Sequence, residues 1–210
     1  MSNAGGGERK SYHHGNLRAA LVDATLELIT EKGPTGFTLA EAARLAGVSP
    51  AAPYRHFKGR EELIAEVALV GFDMFADLLE HAFTKGPGGS PLEAFYRVGR
   101  AYLAFARRYP GHYIAMFESG VSIAGNSELT HVSNRAMAVL TRAATALMAH
   151  IPAEKRPPAI MVSHHIWALS HGIVELFARG TPGGRAPFSP DDLLESGTGI
   201  YLRGLGILKD

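Results

Sequence analysis

The chain has 210 residues, of which 46% are hydrophobic and 20% charged, and these values are typical of a globular protein of one or two domains. It contains no cysteine, which excludes disulfides, thiol catalysis and zinc fingers. The formal net charge is +1, so any nucleic-acid site must come from a local cluster of cations.

The chain opens with MSNAGGG, a glycine-rich start that predicts a disordered tag or arm over residues 1–11. We find no cationic-then-apolar leader and no long apolar run, so we expect a cytoplasmic protein with no membrane partner. The first helix is predicted over residues 16–32, where apolar residues recur every three or four positions. Gly33 and Pro34 should end it.

Two short helices are predicted next. Thr38 and Glu41 have the spacing of a capping box, and the helix they start should end at Gly47. Ser49 is predicted to cap the third helix, with Pro53 tolerated in its first turn. Two short helices joined by a tight glycine turn form a helix-turn-helix, whose second helix enters the major groove of DNA.

The rest of the chain also has helical periodicity, interrupted by linkers rich in glycine and proline. Helices are predicted over about 60–83, 90–110, the short apolar piece GHYIAMFESG, 127–150, 159–178 and 189–208. The predicted fold class is therefore all-α, with about nine helices. Residues 12–60 would form the DNA-binding domain, with three helices, and residues 61–210 a larger helical domain for effector binding and dimerisation.

Cations and hydrogen-bond donors cluster around the predicted third helix. Tyr54 and His56 can donate hydrogen bonds to phosphates, and the neighbouring cations can pair with phosphates ionically. The start of the helix carries few donors, so we expect base reading through thymine methyl groups and DNA shape. The predicted DNA contacts are Arg9, Lys10, Tyr12, Thr38, Ser49, Pro50, Ala51, Ala52, Tyr54, Arg55, His56, Lys58 and Arg60. The simpler interpretation is a helical hairpin with a solvated cationic edge, but the clustering of the cations favours DNA.

The stretch TLAEAARLAGVSPAAPYRHFKGREELI resembles the DNA-binding domain of the TetR family of transcriptional regulators, including its Tyr-x-His-Phe signature. The resemblance implies phosphate contacts from Thr38, Tyr54, His56 and Arg60, the last standing where lysine is usual. It also implies a dimer with a C-terminal domain that senses a small ligand.

The segments SYHHGNLRAAL, YLAFARRYPGHYIAMFE and WALSHG resemble one subgroup of that family, whose C-terminal domain is named for a Trp-His-Gly motif. Trp167, His171 and Gly172 occupy the motif. In this subgroup the resemblance implies that His171 belongs to a packing motif.

Large apolar side chains lie on the faces of successive helices in the second domain. Each alone is best interpreted as core, but together they also match an apolar effector pocket with a few polar groups. The predicted pocket residues are Phe72, Phe75, Leu79, Phe95, Val98, Tyr102, Phe105, Met116, Phe117, Met137, Leu140, Trp167 and His171. Tyr102, His112, His164 and His171 would supply the polar groups.

The histidines allow two further interpretations. His164 and His171 are two turns apart, and His171 and Glu175 share a helix face, a spacing that permits chelation. No dense motif such as His-Glu-x-x-His accompanies them, so packing roles are favoured and neither a metal nor a cofactor is predicted. Buried neutral histidines would instead make the domain sensitive to pH. The chain also lacks a nucleotide loop, a nucleophile elbow and paired catalytic carboxylates, so we do not expect an enzyme.

The last two long helices provide the predicted dimer contact, because two-fold pairing matches a palindromic operator. Its apolar residues are Ile166, Leu169, Ile173, Leu176, Phe177, Leu194, Tyr201, Leu202 and Leu205, and Gly197, Gly199 and Gly204 would allow close approach. The alternative is that the same faces pack within one chain.

These observations predict a ligand-responsive transcriptional regulator, a repressor that binds a palindromic DNA operator as a homodimer and is released by a small apolar effector. One alternative is a helical small-molecule-binding protein or enzyme that uses the C-terminal pocket. Another is a helical interaction module without DNA affinity. Salt-dependent binding to duplex DNA separates both from the main prediction.

Overall fold

The structure, a computed structural model, describes residues 17–85, 89–178 and 187–208. The regular structure in those ranges is entirely helical, which confirms the all-α class. The eight α-helices there are α1 Leu17–Lys32, α2 Leu39–Leu45, α3 Arg60–Thr84, α4 Pro91–Arg108, α5 Pro110–Phe117, α6 Ser127–Leu147, α7 Ala159–Ile173 and α8 Pro190–Gly204. None of these helices is long and apolar enough to cross a membrane. The predicted arm over residues 1–11, with Arg9 and Lys10, lies outside the described ranges, and so does the predicted DNA contact Tyr12.

The predicted cap of α2 is present in full. The Glu41 amide donates to Thr38 Oγ1 at 3.2 Å, and the Thr38 amide donates to the Glu41 carboxylate at 2.9 Å. Lys32 donates to the same carboxylate at 2.8 Å. This hydrogen bond, followed by those from Thr38, lowers the pKa of Glu41 to about 2. The Glu41 carboxylate of the cap therefore stays ionised at neutral pH, and the cap fixes where α2 begins.

The prediction of a third α-helix starting at Ser49 is wrong, because this segment forms two short turns instead. Residues 49–52 form a tight turn, closed by the Ala52 amide donating to the Ser49 carbonyl at 2.9 Å, and a 3-10 turn follows over Pro53–Arg55. The reason is that Pro53 has no N–H and cannot donate to the Ser49 carbonyl, as the fifth residue of an α-helix would. The helix count among the described residues is thus eight rather than about nine.

The 25-residue helix α3 is the central element of the fold, roughly 37 Å long at 1.5 Å per residue. Its buried face packs against α1, α4, α5 and α6. On its outer face, Glu66 pairs with Arg18 of α1 at 2.5 Å. Asp73 and Asp77 pair with Arg135 of α6 at 2.9 and 2.8 Å. Helix α3 starts beside α1 and continues through the larger helical domain. It therefore connects the N-terminal helices with that domain.

Helix α5 lies against both α1 and α3. A Cβ atom on Gly111 would lie 2.3 Å from Thr30 Oγ1 and 3.1 Å from the Leu26 carbonyl oxygen, both in α1. A Cβ atom on Gly71 of α3 would lie 2.8 Å from Met116 Sδ. Glycine at these two positions therefore permits the close approach that joins α5 to its neighbours.

We expect Gly111→Ala to lower the free energy of unfolding by about 1–3 kcal/mol, because the added methyl group forces α5 away from the α1 backbone. Gly172→Ala is the matched control, because no heavy atom lies within 4 Å of its added Cβ. We expect that variant to be neutral or up to about 1 kcal/mol more stable. Urea denaturation of both variants measures the difference. Equal effects at the two positions would contradict the close packing of α5.

Candidate DNA-binding surface and effector region

The turn over residues 49–52, which we call the tip, is open to solvent. Ser49, Pro50 and Ala51 are exposed and Ala52 is partly exposed, whereas Pro53 is buried. The buried proline anchors the turn against the domain, and the small exposed side chains leave its backbone accessible. A surface of this kind can approach the edges of base pairs closely.

Four of the predicted phosphate contacts lie together beside the tip. Thr38, Tyr54, Lys58 and Arg60 line one open groove of about 690 Å³, which we call the phosphate groove. The Tyr54 side chain is 64% exposed. The capping box uses the amides of Thr38 and Glu41, which leaves the two amides between them at the start of α2 for an anion.

The segment that contains the tip and leads to α3 carries a local excess of cations. Residues 49–60 contain Arg55, Lys58 and Arg60 and no acidic residue. Glu61 and Glu62 also line the groove, opposite in charge to Lys58 and Arg60, and the Glu62 carboxylate accepts a hydrogen bond from the Lys58 amide at 2.5 Å. Arg55 and His56 are exposed next to the groove without lining it.

Arg60 has a structural role that its sequence position did not reveal. Its Nη1 donates to the carbonyls of Thr35 and Phe37 at 3.0 and 3.3 Å, and its guanidinium lies 6.0 Å from the centre of the Phe37 ring. Arg60 therefore holds the segment before Thr38 in place. Its remaining N–H groups are the ones available to a phosphate.

The predicted effector pocket is only partly assembled. Five of its residues line one internal gap, namely Phe95, Val98, Tyr102, Leu140 and Trp167. The gap measures about 10 Å³, so side chains nearly fill it. Seven others lie in the surrounding core without lining the gap: Phe72, Phe75, Leu79, Phe105, Met116, Phe117 and Met137.

His171, the last predicted pocket residue, is half-buried beside the gap and forms hydrogen bonds through one ring nitrogen. Its Nδ1 is 2.8 Å from Tyr102 Oη and 2.9 Å from Tyr113 Oη. Burial raises the pKa of Tyr102 to about 12 and also raises that of Tyr113, so both phenols are protonated at neutral pH. Sequence reasoning missed Tyr113, because no spacing rule pairs α5 with α7.

Two predicted polar groups do not reach the gap. His112 is buried between α5 and α3, where its Nδ1 is 3.3 Å from the Val67 carbonyl. His164 is exposed, and its Nδ1 bonds to the Ile160 carbonyl of its own helix. Within the described ranges no three His, Asp or Glu side chains gather as metal ligands would.

The predicted dimer face is divided between the core and the surface. Ile166, Ile173, Leu194 and Leu202 are buried within the chain, as the intramolecular alternative requires. Leu176 and Phe177 are exposed, and so is Ile200, which sequence reasoning missed. A Cβ atom on Gly197 would lie 3.1 Å from Leu169, so this glycine brings α8 close to α7 of the same chain.

Two family models match the chain. The model described as Bacterial regulatory proteins, tetR family, matches residues 21–67, and the model described as Tetracyclin repressor-like, C-terminal domain, matches residues 95–199. The second match covers half of the chain, and the first contains the tip and the phosphate groove.

Individual proteins show the same similarity. The chain is 26% identical over 182 residues to the uncharacterized HTH-type transcriptional regulator YobS of Bacillus subtilis (strain 168), covering 87% of both chains. It superposes on a protein with unknown function from Rhodococcus sp. RHA1 with a TM-score of 0.76 at 27% identity, covering 93% of this chain and 98% of that one. It shares its fold with AibR in complex with isovaleryl coenzyme A and operator DNA, at a TM-score of 0.64 and 16% identity, covering 88% and 97% of the two chains.

Proposed function

The chain belongs to the TetR family of bacterial regulatory proteins, and from this premise we propose that it is a dimeric repressor that binds a palindromic DNA operator and releases it when a small apolar effector binds. The observation that carries the proposal is the convergence of Thr38, Tyr54, Lys58 and Arg60 on one groove beside an exposed tip. Phosphate contacts at the groove would orient the protein, and the tip would meet the bases.

The domain division proposed from the sequence fits this role. Residues 12–60 would form the DNA-binding domain and residues 61–210 the effector-binding and dimerisation domain, with α3 beginning at the boundary. A regulator of this kind works on the chromosome, so we place it in the cytoplasm and assign it no catalytic activity.

We also propose that the second domain is of the Trp-His-Gly type. Trp167 and His171 lie four residues apart on α7, with ring centres 6.1 Å apart, and Gly172 follows. His171 hydrogen-bonds to tyrosines of α4 and α5, so the motif joins three helices. Its role in this proposal is packing, which supports the site beside it.

The two copies would pair through the exposed side of α7 and α8. The exposed apolar residues proposed for this contact are Leu176 and Phe177, in the π-helical turn Val174–Ala178 that follows α7, and Ile200 on α8. Burial of such side chains stabilises association, since each apolar Å² removed from water contributes about 25 cal/mol. Two-fold pairing would place the two tips on successive half-sites of the duplex.

A route from the effector region to the DNA-binding domain runs along α5. Its Tyr113 hydrogen-bonds to His171 near the gap, while its Gly111 lies against Leu26 and Thr30 of α1. An effector larger than the gap of about 10 Å³ would displace side chains that line it, and displacement of Tyr102 would reach α5 through His171 and Tyr113 and α3 through the ring of Phe75. Tilting α3 changes the spacing of the two tips, and a coupling of about 1–3 kcal/mol suffices to release the operator.

Trp167, the single tryptophan of the chain, reports on this region directly. We expect apolar compounds that change its fluorescence to weaken binding to an operator selected from random duplexes, by about 5–150-fold. Tyr102→Phe should change how both Trp167 fluorescence and operator affinity respond to these compounds, because it removes a hydroxyl that bonds to His171. Tyr201→Phe is the matched control, because that hydroxyl bonds to His165 outside the gap. Compounds that change Trp167 emission without changing DNA affinity would argue against the effector site.

A further inference from the structure

A second concave site lies where the DNA-binding helices meet the rest of the protein. It is an open groove of about 310 Å³ between α1, α3 and α5, which we call the junction groove. Val22 and Leu26 of α1 and Val70 of α3 give it an apolar floor, and Asp23 and His112 line it as polar groups. Val70 is 38% exposed, so the floor is accessible from solvent.

His112 offers the groove a hydrogen-bond acceptor. Only 7% of the residue is exposed, and its Nδ1 lies 3.3 Å from the Val67 carbonyl. A carbonyl only accepts, so we assign the proton to Nδ1, which leaves Nε2 with a lone pair in the neutral ring. Burial lowers the pKa of His112 and keeps the ring neutral. Nε2 has no hydrogen-bond partner in the part of the chain that the structure describes.

The charge around the groove favours a cation. A second open groove of about 460 Å³ adjoins the first and shares Val70 with it. The two grooves together are lined by four carboxylates and one guanidinium. The carboxylates belong to Asp23, Glu66, Asp73 and Glu128, and the guanidinium belongs to Arg18. Arg18 is bonded to Glu66 and Asp73 to Arg135, whereas Asp23 and Glu128 have no ion pair among the described residues.

We propose that the junction groove binds a small protonated alkylamine, at a site separate from the proposed effector region. The ammonium group carries donors for both the Asp23 carboxylate and Nε2 of His112, and these two residues interact electrostatically. The alkyl chain lies on Val22, Leu26 and Val70. An amine bound there contacts α1, α3 and α5 together and so fixes the DNA-binding helices relative to the second domain.

The test uses the full chain without DNA, so that its outcome is independent of the regulatory proposal. Hexylamine, 1-hexanol and hexanoate are titrated in turn at pH 7.5, and binding is followed by amide chemical shifts and calorimetry. We expect hexylamine alone to bind measurably, with shifts centred on residues 22–26, 66–70 and 112. Asp23→Asn should weaken hexylamine binding at least tenfold, and Val70→Lys should abolish it by placing a cation of the chain in the groove.

Glu154→Gln, an exposed acid in the 3-10 turn Ala153–Lys155, is the control and should bind hexylamine as the unaltered chain does. Circular dichroism establishes that each variant is folded. If Asp23→Asn does not fold, Val70→Lys tests the proposal in its place, because Val70 is exposed and its replacement should be tolerated. The proposal is overturned if hexylamine does not bind, if hexanoate binds equally well, or if the folded variants bind hexylamine unchanged.

Discussion

Replacing Tyr54 by phenylalanine and Lys58 by alanine together should lower the affinity for duplex DNA about 100-fold for each protomer bound, on every sequence alike. Both residues line the phosphate groove, and Tyr54 is largely exposed. A hydrogen bond to a charged group contributes about 1.5–3 kcal/mol, so each lost contact should cost roughly tenfold. Losing the Lys58 contact should also make the salt dependence shallower, by about one in the slope of log K against log salt per protomer. Fluorescence anisotropy with labelled duplexes measures both effects.

The comparison needs two further variants. Lys155→Ala removes an exposed cation far along the chain from the groove and should leave DNA affinity unchanged. Ala51→Gln changes the tip, so it should alter which sequences are preferred more than the overall affinity. A double variant at Tyr54 and Lys58 that lost affinity for one sequence only would show that the groove does not hold the backbone.

Introducing arginine at both Leu176 and Ile200 should convert the proposed dimer to monomers at micromolar concentration. Both side chains are apolar and exposed in the single chain, 60% and 66% respectively. Leu176 lies in the π-helical turn Val174–Ala178 that directly follows α7, and Ile200 lies on α8. A buried interface tolerates unpaired guanidinium groups poorly, and four would enter the two-fold contact. Sedimentation velocity measures the change. Operator affinity should fall by at least about 100-fold, because each monomer retains only one half-site.

Leu45→Arg provides the matched control for this prediction. Leu45 is also an exposed leucine, at 47%, but it lies at the end of α2 in the DNA-binding domain. That variant should sediment as the unaltered protein does. If the pair at Leu176 and Ile200 leaves the dimer intact, or if the unaltered chain is monomeric at micromolar concentration, the proposed pairing of α7 and α8 is wrong.

Local chemistry made the helix boundaries predictable. The capping box predicted at Thr38 and Glu41 is formed, because it needs only residues three apart in the chain. The same local reasoning failed at Pro53. A proline in the first turn can still be tolerated by an α-helix, but this short segment does not continue far enough to recover the lost hydrogen bond.

Tertiary packing decided what the sequence could not. Periodicity identified the apolar faces of α7 and α8, but only the fold shows that Ile166 and Leu202 face the core while Ile200 faces solvent. The gap near Trp167 depends on how side chains of several helices interlock, so its small volume was not predictable. The same holds for the pairing of Tyr113 with His171, which lie 58 positions apart.

The central claim is that the phosphate groove holds the backbone of duplex DNA while the exposed tip meets its bases. The most direct test is the affinity of the unaltered protein for its selected duplex between about 50 and 200 mM salt. Two copies, each with at least two cations at the phosphates, predict a slope of log K against log salt of about −3.6 or steeper. A slope near zero, or no binding at the lowest salt concentration, would contradict the claim.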